Sequence, residues 1–247
     1  TQHVVDAQFE LLEEYKNQNK WTDYETLTNE LYRLNIAKGR VIHPMALLEK
    51  IHEKYNNDSK RRLYSKLKWQ AYRKALSLKQ DVPLEGLDDI AEEELQKLVG
   101  VYEKLKSTKL RFPESAFNNI LKTKLGLLDS MTKMAGDVQK IGSGKGIIGA
   151  YKVLVQAYEH AAQEVEEFTP PGKGPDYIKS FKGSMAQVYG PLRQSASSYR
   201  SEGWKAIEDN KILSDYNYLL APNPVEGMTV KYAYPHKAVS MDRSGKR

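Results

Sequence analysis

Residues 115–168 carry two long apolar stripes separated by a single Gly-Ser-Gly turn, and this constrains the fold more than any other feature of the chain. Apolar side chains recur at Phe117, Ile120, Leu121, Leu125, Leu128, Met131, Met134, Ala135, Val138 and Ile141. After the turn they recur at Ile147, Ile148, Tyr151, Leu154, Val155, Tyr158, Ala161, Ala162 and Val165. Steps of three and four put one stripe on each of two helices. The short connection makes those helices antiparallel neighbours. Gly142 reads as the left-handed end of the first helix and Ser143 as the cap of the second, with Gly144 completing the turn. A hairpin of this kind cannot bury both of its faces alone. More helices must lie against it, which is the logic of a helical scaffold rather than of a catalytic pocket.

The same periodicity, interrupted by Gly, Pro and Asn breaks, continues through residue 209, with no convincing alternation of period two. A first helix pair is expected over 4–34, broken near Asn19, with Thr22 or Asp23 starting its second helix. Further helices are expected over 44–55, 59–78 and 88–106. The helix over 59–78 is read as burying Leu63, Leu67, Ala71, Ala75 and Leu78. Residues 81–87 form a loop and a possible subdivision, and 169–175 form a Pro/Gly linker. The last long helix, 176–209, holds Pro191 and should kink there. Residues 210–247 contain Pro222, Pro224, Gly227 and Pro235 and read as an extended, non-helical tail. The fold class is therefore all-α, with a helical domain over 1–209.

The chain of 247 residues is long enough to bury a real core. Its net charge of +6 admits an acidic partner without demanding one. The basic excess is local: Lys60, Arg61, Arg62, Lys66, Lys68, Arg73, Lys74 and Lys79 fall in 59–80 with no acid among them. An acidic run follows, with Glu85, Asp88, Asp89, Glu92, Glu93 and Glu94. Opposite blocks on successive helices are expected to pair with each other. The absence of cysteine excludes disulfides, thiolate metal sites and cysteine nucleophiles, and it suits an oxidising cell envelope. No apolar run is long enough to span a bilayer, and no signal peptide is seen. The start at Thr1, inside a helical pattern, reads as a mature form or a fragment.

Two resemblances add to this reading. Tyr15, the turn residue Asn19 four later, Trp21 after it and Tyr24 in the next helix resemble the tetratricopeptide repeat, with Asn and Tyr where the repeat carries Gly and a small residue. Ile141-Gly142-Ser143, Tyr151, Tyr158, Pro170-Pro171 and Tyr189-Gly190-Pro191 resemble, in that order, the C-terminal region of large envelope repeat proteins from predatory and gliding bacteria of the deltaproteobacterial type. The resemblance covers roughly residues 100–209. It implies hairpins stacked as a tetratricopeptide-like solenoid and a periplasmic or envelope-associated scaffold; a cytoplasmic location is the alternative.

Candidate sites are few. Gly142-Ser143-Gly144-Lys145-Gly146 lacks the spacing and the preceding strand of a phosphate loop. His160 and Glu164 lie four apart and make at most half of a metal site. No elbow frames a nucleophile, so no catalytic residue, metal or cofactor is expected. Arg62, Lys66, Trp69 and Arg73 fall on one helix face. They can grip an acidic partner helix or a phosphate, or Trp69 can lie under a neighbouring helix while the charges snorkel outward. Nucleic acid is disfavoured because charge is weakly concentrated over the whole chain. In the tail, Met228, Val230, Tyr232 and Tyr234 alternate and suit docking onto a partner or a second copy, whereas 212–220 suit capping the last helices. The expected function is a non-catalytic scaffold for protein partners. The alternative is an envelope hydrolase or sugar-active enzyme that gathers carboxylates such as Glu92, Glu93, Glu94, Glu164, Glu166 and Glu167 from separate helices.

Overall fold

The computed structural model describes residues 2–212 and 217–221. Its long helices are α1 (Gln2–Asn17), α2 (Trp21–Arg33), α3 (Ile42–Lys54), α4 (Asp58–Ser77), α5 (Leu84–Ser107), α6 (Glu114–Lys140), α7 (Gly144–Glu167) and α8 (Pro175–Asn210). A short α9 (Asn217–Leu220) follows, and a single 3-10 turn, Asn35–Ala37, lies between α2 and α3. No strand occurs among the described residues. The chain separates into two compact units, Thr1–Ile90 and Ala91–Arg247. The boundary falls inside α5, just past the 81–87 stretch; Pro83 precedes the first residue of that helix, Leu84.

In the first unit, residues with left-handed backbone end three helices: Asn19 (φ 56°) after α1, Asn56 (φ 55°) after α3 and Lys79 (φ 53°) after α4. The helix after Asn19 starts at Trp21, one or two residues earlier than Thr22 or Asp23 would allow, and Lys20 precedes it without a side-chain cap. Val5 and Leu12 of α1 are buried, as are Tyr24, Leu27 and Leu31 of α2. Asn57 caps α4 by accepting from the Lys60 N–H at 3.2 Å. The end of α4 is tied back to the 3-10 turn. Gln80 Nε2 donates to the Asn35 carbonyl at 2.6 Å, and the Gly39 N–H donates to Gln80 Oε1 at 3.3 Å.

In the second unit, α7 is apolar nearly all round and is accordingly the central helix. Leu128, Met131, Ala135 and Val138 of α6, Leu192 and Ala196 of α8, and Ala91, Leu98 and Leu105 of α5 share one core with it. The turn between α6 and α7 is built as its residues require. Gly142 has φ 83°, and Ser143 Oγ accepts from the Gly146 N–H at 2.9 Å. Gly146 itself lets α5 approach: a Cβ there would lie 2.6 Å from Ala91 Cβ. α8 runs unbroken through Pro191, whose side faces solvent.

The packed chain extends past Asp209, where the tail was expected to begin. Ile212, Asn217, Leu220 and Ala221 are buried. Ile212 and Leu220 cover Ile147, Ile148, Tyr151 and Ile207, an apolar end that α7 and α8 leave open. A helix of four residues shows no periodicity of its own, but 212–220 is where the sequence places a cap on the last helices.

Candidate interaction face

The rotation of α4 is set by polar side chains on its inner face. The Tyr64 hydroxyl donates to Glu25 Oε1 at 2.7 Å and accepts from Asn29 Nδ2 at 3.0 Å. The His52 ring stacks on Tyr64 at 5.5 Å, and its Nε2 lies 3.6 Å from Glu25 Oε1. Lys60 Nζ meets the same carboxylate at 2.8 Å. Farther along, Lys68 Nζ donates to Glu49 Oε2 at 2.7 Å, and the Tyr32 hydroxyl donates to Gln70 Oε1 at 3.0 Å. Burial pulls the Glu25 pKa upward, but hydrogen bonds from Lys60 and Tyr64 and the charges of Lys60 and His52 hold it below the ordinary carboxylate value.

These anchors correct the expected buried stripe. α4 buries Tyr64, Lys68, Ala71, Tyr72 and Ala75. Leu63 stands 47 % exposed and Leu78 40 %, while Leu67 is half-buried. The reason is that Tyr64 and Lys68 each bring an apolar body and a polar tip that finds a partner inside. A leucine stripe offers only the body, so the helix turns by one position. Members of both blocks pair with side chains of α2 and α3. Lys60 and Lys68 meet Glu25 of α2 and Glu49 of α3, and Asp89 meets His43 Nδ1 at 2.7 Å and Lys50 Nζ at 3.2 Å.

With α4 held this way, Arg62, Lys66 and Arg73 are exposed and Trp69 is half-buried, edge-on to Tyr72 at 5.9 Å. All four share one outward face, as their spacing required. Arg62, Lys66 and Arg73 form no ion pair among the described residues. Leu76, 54 % exposed, continues the same row. Its spacing of three from Arg73 was readable, but an apolar residue late in a helix reads as core until the rotation is known.

The other candidates fall elsewhere. Met228, Val230, Tyr232 and Tyr234 lie outside the described residues. Gly142, Ser143 and Gly144 are buried in the turn they build. Glu164 does not face an open coordination site. Its Oε1 accepts from the Leu110 N–H at 3.0 Å, and its Oε2 lies 2.7 Å from the ammonium of Lys124, a lysine only 1 % exposed. Among the described residues no group of three His, Asp or Glu stands placed for a metal. Glu94 and Glu93 pair with Lys97, Glu166 with Arg193, and Glu167 accepts from Gln163. A groove of about 210 Å³ between α6 and α8 has one acid, Glu114, whose Oε2 accepts from the Tyr177 hydroxyl at 3.2 Å. No described helix is long and apolar enough to cross a membrane.

Compared with family models, curated proteins and solved structures, the chain finds no match.

Proposed function

We propose that this chain is a non-catalytic helical-repeat scaffold that holds a protein partner on the exposed face of α4, as part of a bacterial cell-envelope assembly. The observation that carries the reading is the division of labour among the cations of α4. Lys60, Arg61 and Lys68 are in ion pairs, while Arg62, Lys66 and Arg73 stand exposed beside Trp69 and Leu76 and form none among the described residues. Aromatic and arginine side chains at the middle of a face, with apolar area next to them, are the composition of protein contact surfaces. The carboxylates support the same reading. Asp6, through its Arg40 hydrogen bond, and Glu25, through its Lys60 and Tyr64 hydrogen bonds, both have lowered pKa values. That is opposite to what a proton-donating acid needs.

The test is a photo-reactive amino acid placed at Lys66 in intact cells of the parent organism, with Lys122 on α6 as control. The expected result is a discrete envelope-fraction adduct from position 66 alone, lost when Arg62→Glu and Arg73→Glu are added. No adduct from position 66, or equal adducts from both positions, would overturn the reading.

A further inference from the structure

We propose that the connection between α5 and α6 is an acid-released latch: a proton taken up by His160 frees Leu110 from Glu164 and lets residues 106–112 come away from α7.

The connection, residues 108–113, carries Leu110 as its anchor. The Leu110 side chain packs with Phe117 of α6 and Val165 of α7, and its N–H donates to Glu164 Oε1 at 3.0 Å. The other oxygen of that carboxylate lies 2.7 Å from Lys124 Nζ, which donates to the Leu105 carbonyl near the end of α5 at 2.8 Å. One carboxylate and one lysine thus hold both sides of the corner. His160 stands four residues before Glu164 on α7. Its Nε2 is buried without a hydrogen-bond partner among the described residues and lies 3.5 Å from Glu164 Oε2. A neutral imidazole at that distance leaves Glu164 to the corner, whereas an imidazolium competes for it.

The charges around the ring decide which way a proton pushes. From α5 come Lys106 and the Tyr102 ring, edge-on at 6.5 Å; from the connection, Lys109; from α6, Lys124; and from α7, Glu164. Lys124 cannot surrender its share of that carboxylate, because a lysine only 1 % exposed would be left uncompensated. A proton on His160 therefore draws Glu164 away from its uncharged partner, the Leu110 N–H. Lys106 and Lys109 ride on the corner itself and depart when it opens. Burial, with Lys124, Lys109 and Lys106, holds the His160 pKa below the ordinary histidine value, while Glu164 opposes them. Opening admits water and removes two of those lysines, so the open corner binds the proton more readily than the closed one. Closure is therefore complete above the ordinary histidine value and weakens as pH falls through it.

Amide hydrogen exchange of the whole purified chain, read residue by residue and corrected for the intrinsic effect of pH, tests the latch. Between pH 7.5 and pH 5.5 the protection of the Leu110 amide should fall by about fivefold, and one proton per opening sets a ceiling of about tenfold per pH unit. A flat profile overturns the proposal. Leu154, in the middle of α7, should stay about tenfold or more better protected than Leu110 at both pH values, because it exchanges only through larger openings. Equal protection of the two amides would show that the corner opens only with the whole unit, and the latch would be wrong. His160→Gln, neutral at every pH, should abolish the acid loss at Leu110; an unchanged loss assigns it to another group and sinks the proposal. Lys109→Gln, at an exposed side chain, keeps the test decisive where His160→Gln does not fold. In that variant the His160 ring should titrate at higher pH in nuclear magnetic resonance spectra, and the acid loss at Leu110 should shrink. If either is unchanged, the cations of the corner do not drive the release and the inference falls.

Discussion

Lys124 shows how much a single residue can hold in this chain. Its stem is buried in α6, and its ammonium donates to the Leu105 carbonyl at 2.8 Å while lying 2.7 Å from Glu164. Removing one charge strands the other. Lys124→Met is expected to cost about 3–5 kcal/mol, and adding Glu164→Gln should recover much of that. Urea unfolding of the two single variants and the double variant reads the coupling directly. His160, four residues from Glu164, has the opposite problem. Burial lowers its pKa below 6.5; Glu164 opposes that, and Lys124, Lys109 and Lys106 reinforce it. The folded chain thus binds a proton at His160 less readily than the unfolded chain does. The stability this gives is complete above the ordinary histidine value and is lost as pH falls through it. The melting temperature should drop as pH falls from 7 to 5.5, and His160→Gln should flatten that part of the profile. A parallel fall in both proteins would point to another group.

At the scale of elements, the α6–α7 turn was fully legible, because its chemistry is local. Only a glycine takes φ 83° without strain, and a serine immediately before the first turn of α7 is placed to cap it. Gly142→Val is expected to cost a few kcal/mol, and Ser143→Ala about 1 kcal/mol, both read as loss of thermal stability. An unchanged melting temperature for the valine variant would refute the turn. α4 was only half legible. Its candidate residues Arg62, Lys66, Trp69 and Arg73 do share a face, because that follows from spacing alone. Which stripe is buried does not. Leu63-Leu67 and Tyr64-Lys68 compete at the same period, and the choice depends on Glu25, Asn29 and Glu49, which come from other helices. Long-range polar partners leave no mark in the local pattern, so nothing local marks Leu76 as exposed.

For the whole molecule, the end of the packed chain is the least predictable boundary. A chain ending at Asn210 would uncover Ile147, Ile148, Tyr151 and Ile207, whereas one ending at Ala221 keeps Ile212 and Leu220 over them. The first is expected to lose several kcal/mol, in keeping with unburying two large aliphatic side chains and the surface beneath them; the second should melt like the full chain. Circular dichroism of the chain ending at Ala221 should show helix without strand. Equal melting of the two truncations would mean that the segment after α8 contributes nothing.

Lys68 and Lys124 also give the molecule two internal clocks. Their side chains are 5 % and 1 % exposed, one in each compact unit, and each amine sits against a carboxylate. An acylating reagent that modifies Lys66 or Lys122 within seconds reaches these two only when their own unit opens. Their labelling rates, followed by mass spectrometry of the same sample, should therefore lag those of the surface lysines by the opening equilibrium of each unit. Two different lags would reveal units that open independently; one shared lag would reveal a single cooperative event.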